Sequence, residues 1–455
     1  MRARSSRATT RRDFLIQSGR AVAGLVAATT LPRTARASRS ILGANDRVQL
    51  AVIGVRSRGA DHLKGFAALP NVRVKTIVDV DENLFANALK GLEGVQAVLP
   101  STEHDLRRAL DDREIDAVTI ATPDHWHALA SIWACQAGKH VYVEKPCSHN
   151  VAEGRRMVEA ARKHDRLVMV GFQNRSLTNV RRAMQFLHDG GIGDVFLARG
   201  LCFKPRDSIG RHPDEPVPPG VHYDLWLGPA PERPFNRNRF HYEWHWHWDY
   251  GCGDIGNQGP HQFDIARWGL NEASHPVKVA SMGGYFAWDS DQETPNTQSA
   301  VFEYASGKLL QFEVRGLFTN AEEGILVGNL FYGTKGWMHL NGSTWKTFFG
   351  RKNEPGPGSE TAEPSADPAN LAGAGGGNHY ETFIAALRSG KRADLTCDIE
   401  EGHRSSVLPH LANISYRLGR TLTFDGAHER FASDAEADRM LTREYRTPYV
   451  VPAGA

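Results

Sequence analysis

VQLAVIGVRSRGADHLKGF, residues 48–66, reads as an apolar strand, a glycine-bearing loop and the start of a helix. The dinucleotide-binding fingerprint is G-x-G-x-x-G in that setting. Gly54 and Gly59 stand at its first and third positions, and Arg56 replaces the middle glycine. Val55, Ser57 and Arg58 complete the loop. A helix opening here would present its N–H groups to a pyrophosphate. Asp79 closes the next apolar run, VRVKTIVDV, 20 residues after Gly59. An acid at that point binds ribose hydroxyls and repels a 2′-phosphate, which favours NAD over NADP. Without a cofactor, the same residues make an ordinary tight turn of an α/β sheet.

Three further strand-like runs follow: AVTIAT (117–122), HVYVEKP (140–146) and LVMVGFQ (167–173). Helical patterns separate all five. Strands apolar on both faces, alternating with helices, imply a doubly wound parallel sheet. Residues 44–175 are expected to form this Rossmann-type domain. From 176 to 455 the pattern changes. DVFLARGLCF, KVASMGGYFAW, QSAVFEYASG, KLLQFEVRG and GILVGNLFYG suggest an open, mainly antiparallel sheet in a second α/β domain. Residues 353–377 are Pro/Gly-rich and read as a mobile surface loop. A final helix pair closes the chain.

The N-terminus reads ATTRRDFLIQSGRAVAGLVAATTLPRTARAS. Paired arginines, a short apolar run and Ala35-Arg36-Ala37 make a signal peptide over residues 1–37. Arg11-Arg12 points to the twin-arginine (Tat) route and a periplasmic or otherwise exported protein. A basic amphipathic helix is the alternative. The apolar run is too short to span a membrane. The segment holds eight arginines and one aspartate, so its removal takes the formal net charge from +2 to −5. An acidic remainder argues against nucleic acid as partner. The five cysteines are scattered and suggest neither a disulfide framework nor a zinc site.

HVYVEKP delivers Glu144, Lys145 and Pro146 at a strand's carboxyl end, where parallel sheets bind ligands. Gln173 stands at the next strand end. Proline restricts the residue before it, which aims Lys145 into the crevice. A lysine beside a cationic nicotinamide has a lowered pKa and can transfer a proton. A plain Glu144–Lys145 ion pair explains the spacing equally well.

ATPDHWHALASIWACQAGKHVYVEKP, taken with the glycine loop, resembles the Gfo/Idh/MocA oxidoreductases. DIEEGHRSSVLPHLANISYRLGR resembles the closing segment of their Tat-exported members. The resemblance spans nearly the whole chain after residue 37. It implies a Rossmann domain plus an α/β domain whose open sheet makes a homodimer or homotetramer. It also implies that Lys145 contacts substrate and nicotinamide, and that Thr122, Pro123 and His127 line the cofactor.

RFHYEWHWHWDYGCGDIGNQGPHQFDIARWGL, residues 239–270, holds the densest chemistry. As a strand, it would set Trp244, Trp246 and Trp248 on one face, suited to a sugar ring. A Trp-rich core between domains is the alternative reading. A metal site from His241, His245, His247 and His261 is a weaker one. The family pattern D-x-x-x-H-x-x-D is met by His261 and Asp264, with Asn257 where the first aspartate stands. An amide cannot hold an imidazolium by charge. His261 is therefore expected to act with Lys145 alone, or with Asp254 substituting from one turn earlier. Asp264 is expected to pair within its own helix. Arg175, Lys204, Arg206 and Trp246 are further candidates for substrate contact.

Together these residues point to an exported NAD-dependent enzyme that oxidises a sugar or polyol hydroxyl with a tightly held cofactor. Redox-neutral cleavage of a glycoside through a keto-sugar is the alternative. A non-catalytic sugar-binding protein is the third reading.

Overall fold

The computed structural model describes residues 47–342, 344–359 and 378–452. Six strands form the first sheet: β1 (Val48–Ile53), β2 (Val72–Val78), β3 (Ser101–Glu103), β4 (Ala117–Ile120), β5 (His140–Val143) and β6 (Val168–Val170). Their order is β3-β2-β1-β4-β5-β6, with every neighbouring pair parallel. This is the doubly wound arrangement expected from the apolar runs. β4 and β6 are buried at every position, as strands covered by helices on both faces must be. β3 is mostly exposed and carries no apolar pattern, so no periodicity marked it in advance. The strand order reverses between β1 and β4, and a crevice opens there at the carboxyl ends.

The second sheet has nine strands: β7 (Val195–Cys202), β8 (Lys278–Gly284), β9 (Thr297–Glu303), β10 (Leu309–Arg315), β11 (Val327–Gly333), β12 (Gly336–Asn341), β13 (Thr344–Phe349), β14 (Glu354–Gly358) and β15 (Leu422–Thr423). The order is β14-β13-β12-β11-β7-β10-β9-β8-β15. Only the β7–β10 pair is parallel. Along β9 and β10 every second residue is buried. Ala300, Phe302, Leu310 and Phe312 thereby meet Phe263, Leu408 and Leu411 from the helices Gly259–Gly269 and Ile399–Leu418. The opposite face exposes Phe196, Met282 and Val301.

One element differs from expectation within the Pro/Gly-rich stretch. Residues 354–358 are not loop but the edge strand β14, where proline is tolerated because one side of the strand needs no donor. Residues 360–377 lie outside the described residues, as does the expected signal peptide over residues 1–37. Among the described residues no helix is long and apolar enough to cross a membrane.

Candidate active site

A cavity of about 540 Å³ lies over the carboxyl ends of β1, β2, β4 and β5 and reaches residues 204–206, just past β7, and the 240–261 segment. Gly54, Arg56, Ser57, Arg58 and Asp79 line one end. Gly54 has φ +82°, and a Cβ there would meet the Ala121 carbonyl oxygen at 2.7 Å. Only glycine lets the loop pass this close. Gly59 does not line the cavity. A Cβ there would meet the Gly54 carbonyl oxygen at 1.8 Å, so its part is to let helix and loop pack. The helix Arg58–Ala67 begins at Ser57 with no side-chain cap, which leaves its positive end to an anion. Asp79 is half-buried and accepts from the Val55 and Asp81 N–H groups at 2.9 and 3.0 Å. Burial still pushes its carboxyl up to about 6. A loop turned tightly at Gly54, an uncapped helix start and a carboxylate fixed one strand away fit a dinucleotide.

Thr122, Pro123 and His127 also line the cavity. The His127 ring contacts the Thr122 and Pro146 carbonyls at 2.9 and 2.7 Å, so it ties this loop to the Glu-Lys-Pro turn. Glu144 and Lys145 are not an ion pair. The Glu144 carboxylate lies 3.1 Å from His62 Nε2, accepts from Gln173 at 2.8 Å and sits 4.0 Å from Arg58. Burial opposes its charge, but these partners hold it well below the usual carboxylate range. Gln173 is buried behind Glu144 and does not reach the cavity. Its expected cofactor contact is replaced by a supporting one. Lys145 Nζ donates instead to the Asn257 backbone carbonyl at 2.7 Å. Burial pulls Lys145 below the ordinary lysine range, against the Glu144 and Asp124 carboxylates.

The other end is lined by Lys204, Arg206, Tyr242, Trp244, His245, Asn257 and His261. His261 is 3% exposed, and its Nδ1 has no hydrogen-bond partner among the described residues. Burial, then the nearby Lys145 charge, holds it well below the usual histidine range, so it is neutral. Asp254 does not stand in for the missing aspartate. It is engaged by Arg206 at 2.8 Å.

Three expected contacts are overturned. Arg175 is buried and makes a bidentate pair with Asp264, both bonds 2.8 Å, so it is structural and not a substrate ligand. Asp264 accordingly pairs across elements, not within its helix. Residues 243–246 form a single 3-10 turn rather than a strand. The three tryptophans therefore do not share a face. Trp244 lines the cavity with His245 stacked on it at 3.6 Å. Trp246 is buried beneath the Arg206 guanidinium, 5.5 Å from its carbon. The four histidines form no ligand set. His247 contacts the Asn238 carbonyl at 2.6 Å, and His241 lies 3.3 Å from Asp81. Two groupings of ligand type do exist among the described residues: Glu82, His104 and His222, and His275, His403 and Glu429.

Tyr242 and Asp124 reach the cavity without having been expected there. Asp124 directly follows Thr122-Pro123, and that adjacency was the available signal. Burial pushes its carboxyl well above the usual range. Tyr242 has no spacing signal, because its position depends on the turn at 243–246.

Two family profiles match the chain. One, an oxidoreductase family NAD-binding Rossmann fold, covers residues 48–172. The other, the family's C-terminal alpha/beta domain, covers 207–307 and 375–451. A glycosyl hydrolase family 109 protein of Shewanella pealeana is 30% identical over 175 residues, 35% of this chain and 38% of that protein. Levoglucosan dehydrogenase of Pseudarthrobacter phenanthrenivorans is 32% identical over 164 residues, 34% of this chain and 40% of that one. The chain thus spans less than half the length of either relative. Two solved structures share the fold over 83% of this chain. They are the WlbA dehydrogenase of Bordetella pertussis in complex with NADH and UDP-GlcNAcA (TM-score 0.60, 21% identity, 99% of that chain) and the aldose-aldose oxidoreductase of Caulobacter crescentus with glycerol (0.62, 17%, 100%). The chain belongs to the Gfo/Idh/MocA oxidoreductase family, with an NAD-binding Rossmann fold and that family's C-terminal domain.

Proposed function

We propose that the chain oxidises a hydroxyl-bearing carbon of a sugar or polyol, with Lys145 taking the hydroxyl proton. The observation that carries this reading is the position of Lys145. It ends β5 inside the cavity, beside neutral His261, with a proton affinity lowered by burial. Gly54, Ser57, Arg56 and Asp79 would hold NAD, which when bound supplies a hydride acceptor. The Asn257 carbonyl orients Nζ, and Lys204 and Arg206 face the substrate hydroxyls. Export by the twin-arginine route belongs to this reading and rests on the sequence of residues 1–37. An exported enzyme meets little free NAD, which favours a cofactor that stays bound.

A second reading is redox-neutral cleavage of a glycoside. It is favoured by the relatives named as glycosyl hydrolases and by the weak base His261. A proton beside a ketone is acidified, so its removal needs only modest base strength.

The test is Lys145→Ala, with NAD retention measured by mass spectrometry and NADH formation followed in single turnovers over a sugar and glycoside panel. NAD content should persist while the rate falls roughly 10²–10⁴-fold. The wild-type rate should rise with pH as Lys145 loses its proton, with a midpoint below the ~10.4 of free lysine. A variant of near wild-type rate would overturn the assignment.

A further inference from the structure

The Tyr242 hydroxyl is an acceptor twice over. Arg206 donates to it at 3.1 Å and the Asn257 amide at 3.4 Å. A phenol has two acceptor sites and one proton. With both acceptor sites engaged, the proton must point elsewhere, and among the described residues no group accepts it. Tyr242 is 37% exposed and lines the substrate end of the cavity, so the free direction is toward the ligand. Arg206 is fixed in turn by Asp254 and by Trp246 beneath it. A phenolate formed at Tyr242 would therefore meet a guanidinium already in place.

We propose that Tyr242 is a catalytic proton donor to the departing oxygen of a glycoside, which makes the substrate a glycoside rather than a free sugar. The proposal rests on the cleavage reading of this site. In a 3-keto-glycoside, His261 removes the C2 proton and that electron pair forms the C1–C2 double bond. The C1–O bond breaks, and its electrons take the proton of Tyr242. The products are the enone and the free alcohol, with imidazolium at His261 and phenolate at Tyr242. Water then adds across the double bond. Its hydroxyl goes to C1 and its proton to the phenolate, while His261 returns its proton to C2. The sum is hydrolysis.

This arrangement accounts for Asn257. An aspartate there would accept the phenol's proton and turn it away from the ligand.

The experiment supplies methyl and p-nitrophenyl 3-keto-glucosides to the NAD-loaded protein. It follows exchange at C2 in deuterated water and release of the alcohol. Nitrophenol leaves without an acid, and methanol does not. In Tyr242→Phe, C2 exchange should continue while the methyl-to-nitrophenyl cleavage ratio falls roughly 10²–10⁴-fold. Asn257→Asp should lower the same ratio. An unchanged ratio in Tyr242→Phe, or an equal loss with both substrates, overturns the proposal. Wild-type protein that exchanges C2 yet cleaves neither glucoside also overturns it, while leaving the oxidoreductase reading intact. Wild-type protein that neither exchanges C2 nor forms NADH from the parent glucosides overturns the reading of the site itself.

Discussion

At the residue scale, the expected preference for NAD over NADP rests on Asp79. Its oxygens are held by the Val55 and Asp81 N–H groups, so the side chain cannot swing away from a 2′-phosphate. Discrimination against NADP should then be electrostatic, on the order of 10- to 100-fold for a like charge at close range. Asp79→Ala should weaken NAD binding and relax this preference, as measured by calorimetry with both cofactors. Burial raises the group to about 6. Below that pH it carries no charge, so the wild-type preference for NAD should fade as pH falls through 6 and be full above it. A ratio constant from pH 5 to 8 would exclude Asp79 as its source.

At the element scale, the helix Gly259–Gly269 must hold His261 in register. Its anchor is Asp264, which receives two bonds from Arg175 and one from Ser405 Oγ at 2.6 Å. Arg175 also lies 5.0 Å from the Trp268 ring. Arg175→Ala would leave Asp264 charged, buried and short of partners, a change that costs about 3–5 kcal/mol. Denaturant unfolding should read that loss, and Arg175→Lys should restore only part of it, since an ammonium cannot bind bidentately. A loss under 0.5 kcal/mol would show that the helix is positioned by its apolar face alone.

At the scale of the whole molecule, Glu429 joins distant parts of the chain. It contacts His275 Nε2 at 2.9 Å, His403 Nε2 at 2.8 Å and Arg155 at 2.5 Å. Arg155 lies on the helix Val151–Lys163 beside the first sheet, and His403 on the helix beneath the second. Burial opposes the Glu429 charge, but the three partners hold its carboxyl well below the usual range. A depressed carboxylate stabilises the fold above its unfolded pKa of ~4.3, and that contribution is lost as pH falls. Glu429→Gln should therefore cost about 3 kcal/mol at pH 7 and flatten the decline in stability on acidification. Parallel stability–pH curves for variant and wild type would show that the group contributes nothing through its charge.

Elements whose pattern is local were legible in the amino-acid order alone. Apolar runs separated by helical periods fixed the parallel sheet, and Gly54, Asp79 and the Glu-Lys-Pro turn marked its ligand edge, because strand ends of such a sheet share one side. Strands without a pattern escaped it: exposed β3, and β14 with its prolines. Folding settled what depends on partners far apart in the chain. It assigned Arg175 to Asp264 and Gln173 to Glu144, because buried polar groups bond whatever the fold brings within reach. It turned residues 243–246 into a tight coil, which put Tyr242 and His245 into the cavity and Trp246 under Arg206. Alternation of Trp and His suits a strand and a turn alike, and only packing against the 237–239 turn and the 253–257 helix separates the two.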